Sequence, residues 1–258
     1  VKIVVLVKEV PDTYGDRKLN LETGLADRAA SESVLDEIGE RSLEVALSYA
    51  DAHPGTEVVV VSMAPESAQA TVRKGLAMGA ASAVQVIDEE LVGADLGLTA
   101  EVLAATLRRI GFDLAITGNL STDGTGGVMP AMLSELLDVP AALNLASVEI
   151  DEASVKGVRA TDDGTVEVSA ELPAVISITD ALPDARFPNF KGIMAAKKKP
   201  FETLSLADLG VEALPADAAR SIVIGLVEKP PRQAGVKIID EGDAGEKLAE
   251  FLIQNRLA

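Results

Sequence analysis

The residues best suited to chemistry lie in the stretch 118–127 (GNLSTDGTGG), where Gly118, Gly124, Gly126 and Gly127 are interspersed with Asn119, Ser121, Thr122, Asp123 and Thr125. It leaves a strand-like run and precedes a helical pattern, over Val128, up to Leu137. Such a loop brings backbone N–H groups and a helix N-terminus towards one point, an arrangement that favours a phosphate. Glycine permits close backbone approach and positive φ, and the Ser and Thr hydroxyls add donors. No Lys-Ser or Lys-Thr follows the glycines, so the loop is not that of a nucleoside triphosphatase, and the three-glycine dinucleotide fingerprint is missing too. A plain glycine-rich turn is the competing reading.

Other candidates are fewer. Asp36 opens a helical pattern, either as its cap or as a ligand contact. Met63 ends an apolar run, as core or as pocket wall. His53 lies in an AHPG turn. No Ser/His/Asp set or metal-ligand cluster stands out, and with no cysteine there is neither disulfide nor thiolate chemistry. An acid–base enzyme is unsupported. Further on, Phe187, Pro188, Phe190, Ile193 and Met194 crowd apolar side chains into a proline-bearing segment, followed by Lys197, Lys198 and Lys199. The segment either folds back onto its own core or offers a basic, apolar docking site on an acidic protein.

The elements that position these residues follow from periodicity. Continuous runs of strand formers at 1–7 (VKIVVLV), 57–63 (EVVVVSM), 83–87 and 113–117 predict buried strands. Helical stripes are expected over 36–52, 67–78 with Ser67 as its start and Gly79 as its stop, and 98–110. Residues 8–30 are polar and turn-rich (Pro11-Asp12, Gly15-Asp16, Gly24), an excursion with a short hairpin. Repeated strand–helix–strand units predict an α/β fold, a doubly wound, mostly parallel sheet whose ligands bind beyond the carboxyl ends of the strands. The loops after Val7, Met63 and Thr117 leave such ends. Beyond Pro140, short alternating strands are expected at 145–150, 154–160, 165–172 and 174–178. A long connection follows over 179–201, then an irregular arm over 202–258 closed by an amphipathic helix at 245–256.

Composition narrows the function classes. The chain has 258 residues, 48% of them hydrophobic, and a formal net charge of −18. That acidity argues against sequence-independent binding to nucleic acid or an anionic membrane. The apolar runs are too short to span a bilayer, so no integral membrane protein is expected. The start shows no charged-then-apolar leader, so a cytoplasmic location is expected. Aromatic residues make up only 3%, without Trp, so few side chains here could stack on a flat aromatic cofactor.

Five segments together resemble the electron transfer flavoprotein beta subunit family, over essentially the whole chain: the opening VKIVVLVKEVPDT, LDEIGERSLEVAL (35–47), RKGLAMGA (73–80), the glycine-rich loop, and LPAVISITDALPDARFPNFKGIMAAKKKP (172–200). The last resembles actinobacterial members in particular. The resemblance implies a Rossmann-like fold of the adenine-nucleotide-binding type in a heterodimer whose larger alpha subunit holds most of a redox-active FAD. It implies a structural AMP in this chain, contacted by Leu6, Ser33, Val34, Leu35, Asp36, Met63 and the loop 118–128. Asp12, Thr13 and Tyr14 would line the FAD crevice. Phe187, Phe190, Ile193, Met194 and Lys197 would dock dehydrogenases such as acyl-CoA dehydrogenases, and a quinone oxidoreductase would accept the electrons.

The implied organisation is a nucleotide-binding domain over 1–178, a partner-recognition loop over 179–201 and an arm over 202–258 packing on the alpha subunit. Residues 33–36 read Ser-Val-Leu-Asp where the family pattern is Asn-Pro-Phe-Asp. The loop ends Gly-Gly-Val-Met-Pro where many members carry Gln-Val-Gly-Pro, and Ala160 follows Arg159 where an acid is usual. Two other functions fit: a bifurcating relative with a second FAD in place of AMP, and a non-redox nucleotide-binding sensor.

Overall fold

The computed structural model describes residues 1–15, 18–213, 221–232, 234–235 and 237–257. Asp16, the second residue of the expected Gly15-Asp16 turn, lies outside the described residues. The chain divides into two compact units, Val1–Ile224 and Gly225–Ala258.

The first unit opens with β1 (Lys2–Leu6), then an excursion closed by a two-stranded antiparallel ribbon of β2 (Glu9–Pro11) and β3 (Ser33–Leu35), with Val10 opposite Val34. Inside it Leu19 bridges Ala26, and the Asn20 side chain accepts from the amides of Glu22 and Thr23. The expected hairpin is therefore nested in a wider ribbon. Strands and helices then alternate: α1 (Glu37–Ala52), β4 (Glu57–Met63), α2 (Gln69–Met78), β5 (Ser82–Val86), α3 (Leu96–Ile110), β6 (Leu114–Gly118) and α4 (Met129–Leu137). Asp95 caps α3 by accepting from the Leu98 amide at 2.9 Å. Ser67 does not start α2; it sits in a short 3-10 turn, Glu66–Ala68, that leads into it.

Next come β7 (Ala141–Ile150), β8 (Ser154–Thr161), β9 (Gly164–Glu171), β10 (Ala174–Ile178), α5 (Phe190–Ala196), β11 (Phe201–Leu204) and α6 (Leu206–Leu209). Among the described residues nine strands form one sheet in the order β11-β5-β4-β1-β6-β10-β7-β8-β9. It is parallel from β11 to β7 and antiparallel over β7-β8-β9.

The Val- and Ile-rich strands are buried on both faces because alternate side chains enter two cores. Ile3, Val5, Val58, Val60 and Ile116 pack with Leu43, Leu47 and Leu76 of α1 and α2. Val4, Val59, Val61 and Ala115 pack with Leu103, Leu107 and Leu133 of α3 and α4. Each fully buried Val or Leu stabilises the fold by about 1.5–3 kcal/mol relative to exposure, so helices on both faces follow from the strands' composition.

Two expectations need correction. The connection 179–201 is not without structure: Asn189 caps α5 by accepting from the Gly192 amide at 2.8 Å, and the Ala-rich sequence continues the helix. Residues 201–209 do not open an arm. β11 extends the sheet beside β5, and α6 carries a capping box made by Ser205 and Asp208. The second unit contains α7 (Ala244–Gln254), whose Leu248, Phe251 and Ile253 are exposed. No helix among the described residues is long and apolar enough to cross a membrane.

Candidate functional site

In the sheet, β1 stands between β4 and β6: the chain winds to β4 and β5 on one side and to β6 and β10 on the other. The crevice beyond the carboxyl ends of β1 and β6 is thus the point where winding reverses, where open α/β sheets place ligands. Leu6, Met63 and Gly118 end the three neighbouring parallel strands β1, β4 and β6. The glycine-rich loop leaves β6 here, and α1 begins here.

Gly118 is required by packing. A Cβ on it would lie 2.5 Å from Ile38 Cγ2, so only glycine lets β6 pass this close to α1. Gly127 has a positive φ of 66°, and Thr125 also adopts positive φ (50°). A Cβ on Gly126 would meet nothing within 4 Å, so its face of the loop is open. Several loop amides are already engaged: Asn119 donates to Ile178 O and Thr125 to Ser121 O, both at 2.9 Å, and Gly124 to Asp123 Oδ1 at 2.6 Å.

The capping reading of Asp36 does not hold. It precedes α1 but makes no side-chain cap; its Oδ2 accepts from the Thr122 amide at 2.9 Å, joining the start of α1 to the middle of the loop. It is only 2% exposed. Burial pushes its carboxyl pKa up, against the Thr122 amide, which favours the charged form. Asp36 Oδ1 and Thr122 Oγ1 are both buried and make no hydrogen bond of good geometry, only weaker contacts between the Asp36 carboxyl, the Thr122 hydroxyl and the Ile38 amide.

Asp123 sits between two cations. Lys8 Nζ lies 2.8 Å from its Oδ1 and Arg28 Nη2 3.2 Å from its Oδ2. Lys8 follows β1, while Arg28 belongs to the excursion and also donates to Glu9 O at 3.4 Å. Burial raises the Asp123 carboxyl, but the Lys8 hydrogen bond and charge and the Ser121 and Gly124 contacts outweigh it and lower the pKa to about 2. Sequence reasoning missed Lys8 and Arg28. The only local signal was a Lys directly after the first strand.

The remaining expected contacts divide by side chain. Leu35 is buried in the core with α1, and Leu6 and Met63 pack against the other core, so these three offer mainly backbone or one edge to the crevice. Val34 is half-buried and Ser33 exposed on the ribbon. At the same end of that ribbon as Ser33, which pairs with Pro11, Asp12 accepts from the Tyr14 amide at 2.9 Å, forming a turn with Thr13 whose Tyr14 ring is 99% exposed. Phe187 and Phe190 are 91% and 80% exposed, with Ile193, Met194 and Lys197 also exposed beside them. They do not fold back onto the core. His53 ends α1 with its ring stacked on Tyr49, centroids 4.0 Å apart, and Nδ1 2.9 Å from Tyr49 O, a structural contact. Among the described residues no group of His, Cys, Asp and Glu could hold a metal ion.

The electron transfer flavoprotein domain model matches residues 23–209. The chain is 43% identical to the electron transfer flavoprotein subunit beta of Mycobacterium tuberculosis over 99% of its length and 98% of that protein's. It is 29% identical to the corresponding subunit of Bacillus subtilis, covering 97% and 95%. It is 30% identical to the caffeyl-CoA reductase-Etf complex subunit CarD of Acetobacterium woodii, covering 92% and 91%. With a crevice at the winding reversal and full-length similarity to these subunits, the chain belongs to the electron transfer flavoprotein family, among its beta subunits.

Proposed function

We propose that this chain pairs with a larger alpha subunit in the bacterial cytoplasm, buries an AMP in its crevice and completes the binding site of an FAD held mainly by the partner. The assembled flavoprotein takes electrons from dehydrogenases such as acyl-CoA dehydrogenases and passes them to a quinone oxidoreductase. FAD supplies the redox chemistry when bound; this chain shapes, orients and docks.

The observation that carries the reading is the crevice around Asp36 and Thr122. Two buried oxygens without a well-formed hydrogen bond, next to a loop face left open at Gly126, fit a small polar ligand. Because the amides of Asn119, Thr122, Gly124 and Thr125 are engaged, a phosphate would rest on the segment 126–128 and the start of α4, with the Ser121 hydroxyl near. None of the crevice residues named above is aromatic, which favours a mononucleotide over a second FAD. The Asp12–Tyr14 turn would face the flavin, Phe190 would anchor the dehydrogenase with Phe187, Ile193, Met194 and Lys197 around it, and the exposed apolar face of α7 would pack on the alpha subunit.

The test is to co-express both subunits, denature the purified complex and identify the released nucleotides. AMP and FAD in equal amounts are expected. Two FAD without AMP would make the complex a bifurcating one, and a complex without flavin would overturn the reading. Gly126→Val sharpens the assignment: its side chain enters open space, so the fold should survive while AMP content drops. Unchanged AMP would move the phosphate elsewhere.

A further inference from the structure

The segment 182–199 is fastened from both ends. Arg186 Nε and Nη2 donate to the two carboxylate oxygens of Glu44, each at 2.8 Å, and its backbone N–H donates to Glu44 Oε2 at 2.9 Å. Arg186 Nη1 lies 2.9 Å from Asp51 Oδ2. Just before it, Arg41 donates to Leu182 O and pairs with Asp184. Arg41, Glu44 and Asp51 all belong to α1. Beyond it, Gly192 approaches α2 so closely that a Cβ would lie 2.3 Å from Ala77 O. Lys199 Nζ donates to Leu76 O, Gly79 O and Ala80 O at 2.9, 3.1 and 2.6 Å, closing the C-terminal end of α2. Between these fasteners the rings of Phe187 and Phe190 stand in solvent.

A forked pair of charge-assisted bonds, with a third from the same residue's amide, fixes both the position and the direction of the chain at 186. The Glu44 side chain is 15% exposed and that of Arg186 33%, so the pair is partly shielded from water. Burial raises the Glu44 carboxyl, but the Arg186 hydrogen bonds and charge, with a hydrogen bond from Ser48, more than offset it and hold the pKa below the ordinary value. Arg186 is raised in turn by Glu44 first, then Asp51.

We propose that Arg186, held by Glu44 and Asp51, is a positioning residue for partner docking: it presents Phe187 and Phe190 in a fixed orientation, so that the loop is ordered before the partner arrives. The proposal rests on the docking reading of Phe190 and adds how that anchor is aimed. Preorganisation raises affinity by removing an ordering cost from the binding step. It leaves flavin chemistry untouched.

The test uses the assembled flavoprotein and an acyl-CoA dehydrogenase, following flavin bleaching over a range of flavoprotein concentrations. Arg186→Ala should raise the apparent KM roughly tenfold, as expected when one or two rotamer-rich side chains are freed, with limiting rate and FAD content kept. Arg186→Lys keeps the charge but loses the fork, and should retain most of the KM defect. Amide hydrogen exchange over 183–194 should quicken in both. In the double variant with Phe190→Ala, the rise should fall well short of the product of the single effects, because Arg186 acts through that ring. Full multiplication would overturn the proposal. So would an unchanged KM in Arg186→Ala while Phe190→Ala raises it, or FAD loss in both Arg186 variants. An unaffected Phe190→Ala is a different failure: it removes the docking reading first, and this proposal with it.

Discussion

The crevice and the docking segment hang on the same helix by different means. At the N-terminus of α1, Asp36 reaches the glycine-rich loop with a buried carboxylate. Along its flank, Arg41, Glu44 and Asp51 grip residues 182–186 through ion pairs nearer the surface. In the crevice polar atoms are buried and left partly unpartnered, which costs stability and reserves them for a ligand. In the docking segment polar atoms are satisfied and apolar rings are left in water, which reserves the rings for a protein. Unsatisfied polarity inside and unsatisfied apolarity outside are two forms of the same sign, a group whose partner is another molecule.

The harshest way to break the comparison is Gly118→Val. Its side chain would enter Ile38 and force β6 from α1, an overpacking that costs about 3 kcal/mol. The melting temperature should drop and the crevice be lost together, whereas an unchanged melt would show that α1 and β6 can separate freely.

Next is Phe190→Ala. Losing an exposed anchor costs about 2 kcal/mol, roughly thirtyfold in affinity, so the dehydrogenase-dependent KM should rise while the melt and FAD content stay normal. If the variant unfolds the subunit, the ring is core and the contrast between the two regions collapses.

A third experiment separates two acids in the crevice by sign. Asp123, lowered from 3.8 to about 2, contributes stability that is present above 3.8 and lost as pH falls through about 2. Asp36, raised by burial, contributes in the opposite sense: stability is greatest below 3.8 and declines as pH rises through its folded pKa. Asp123→Asn should therefore cost about 1 kcal/mol at neutral pH, since Lys8 and Arg28 are nearly half exposed and screened, and it should flatten the acid limb of the melting profile. Asp36→Asn should stabilise the ligand-free chain at neutral pH. Slopes of the same sign in both variants would remove the distinction.

The smallest effect belongs to Lys197→Ala. An exposed cation beside the docking rings should change the KM less than Phe190→Ala does, and the change should fade as salt is added. A salt-independent loss would mean that the lysine contacts its partner out of water.

The parallel sheet was legible because its strands are runs of Val and Ile between helical stripes, and burial on both faces leaves no other pattern. The crevice was legible as a glycine-rich loop at a strand end. What tightens each site was not. Lys8 and Asp123 are 115 residues apart, and Glu44 and Arg186 142 apart. Among so many charged residues nothing local marks which will meet. β11 was missed because Phe201–Leu204 is short, carries Glu202 and follows a proline, all marks of an edge strand rather than a buried one. α5 was missed because prolines at 183 and 188 make the segment read as loop up to the residue that caps it.

The exposed Tyr14 and the stacked Tyr49 have one more consequence. The chain contains two tyrosines and no tryptophan, so its ultraviolet emission comes from one ring in open solvent and one pressed against the imidazole of His53. An oxidised flavin quenches the emission of a tyrosine in contact with it by taking an electron from the excited ring. If the Asp12–Tyr14 turn closes over the flavin, mixing this chain with the flavin-loaded alpha subunit will darken the Tyr14 signal and leave that of Tyr49 comparatively bright. Assembly of the complex can then be followed in real time by an optical label already present in the sequence.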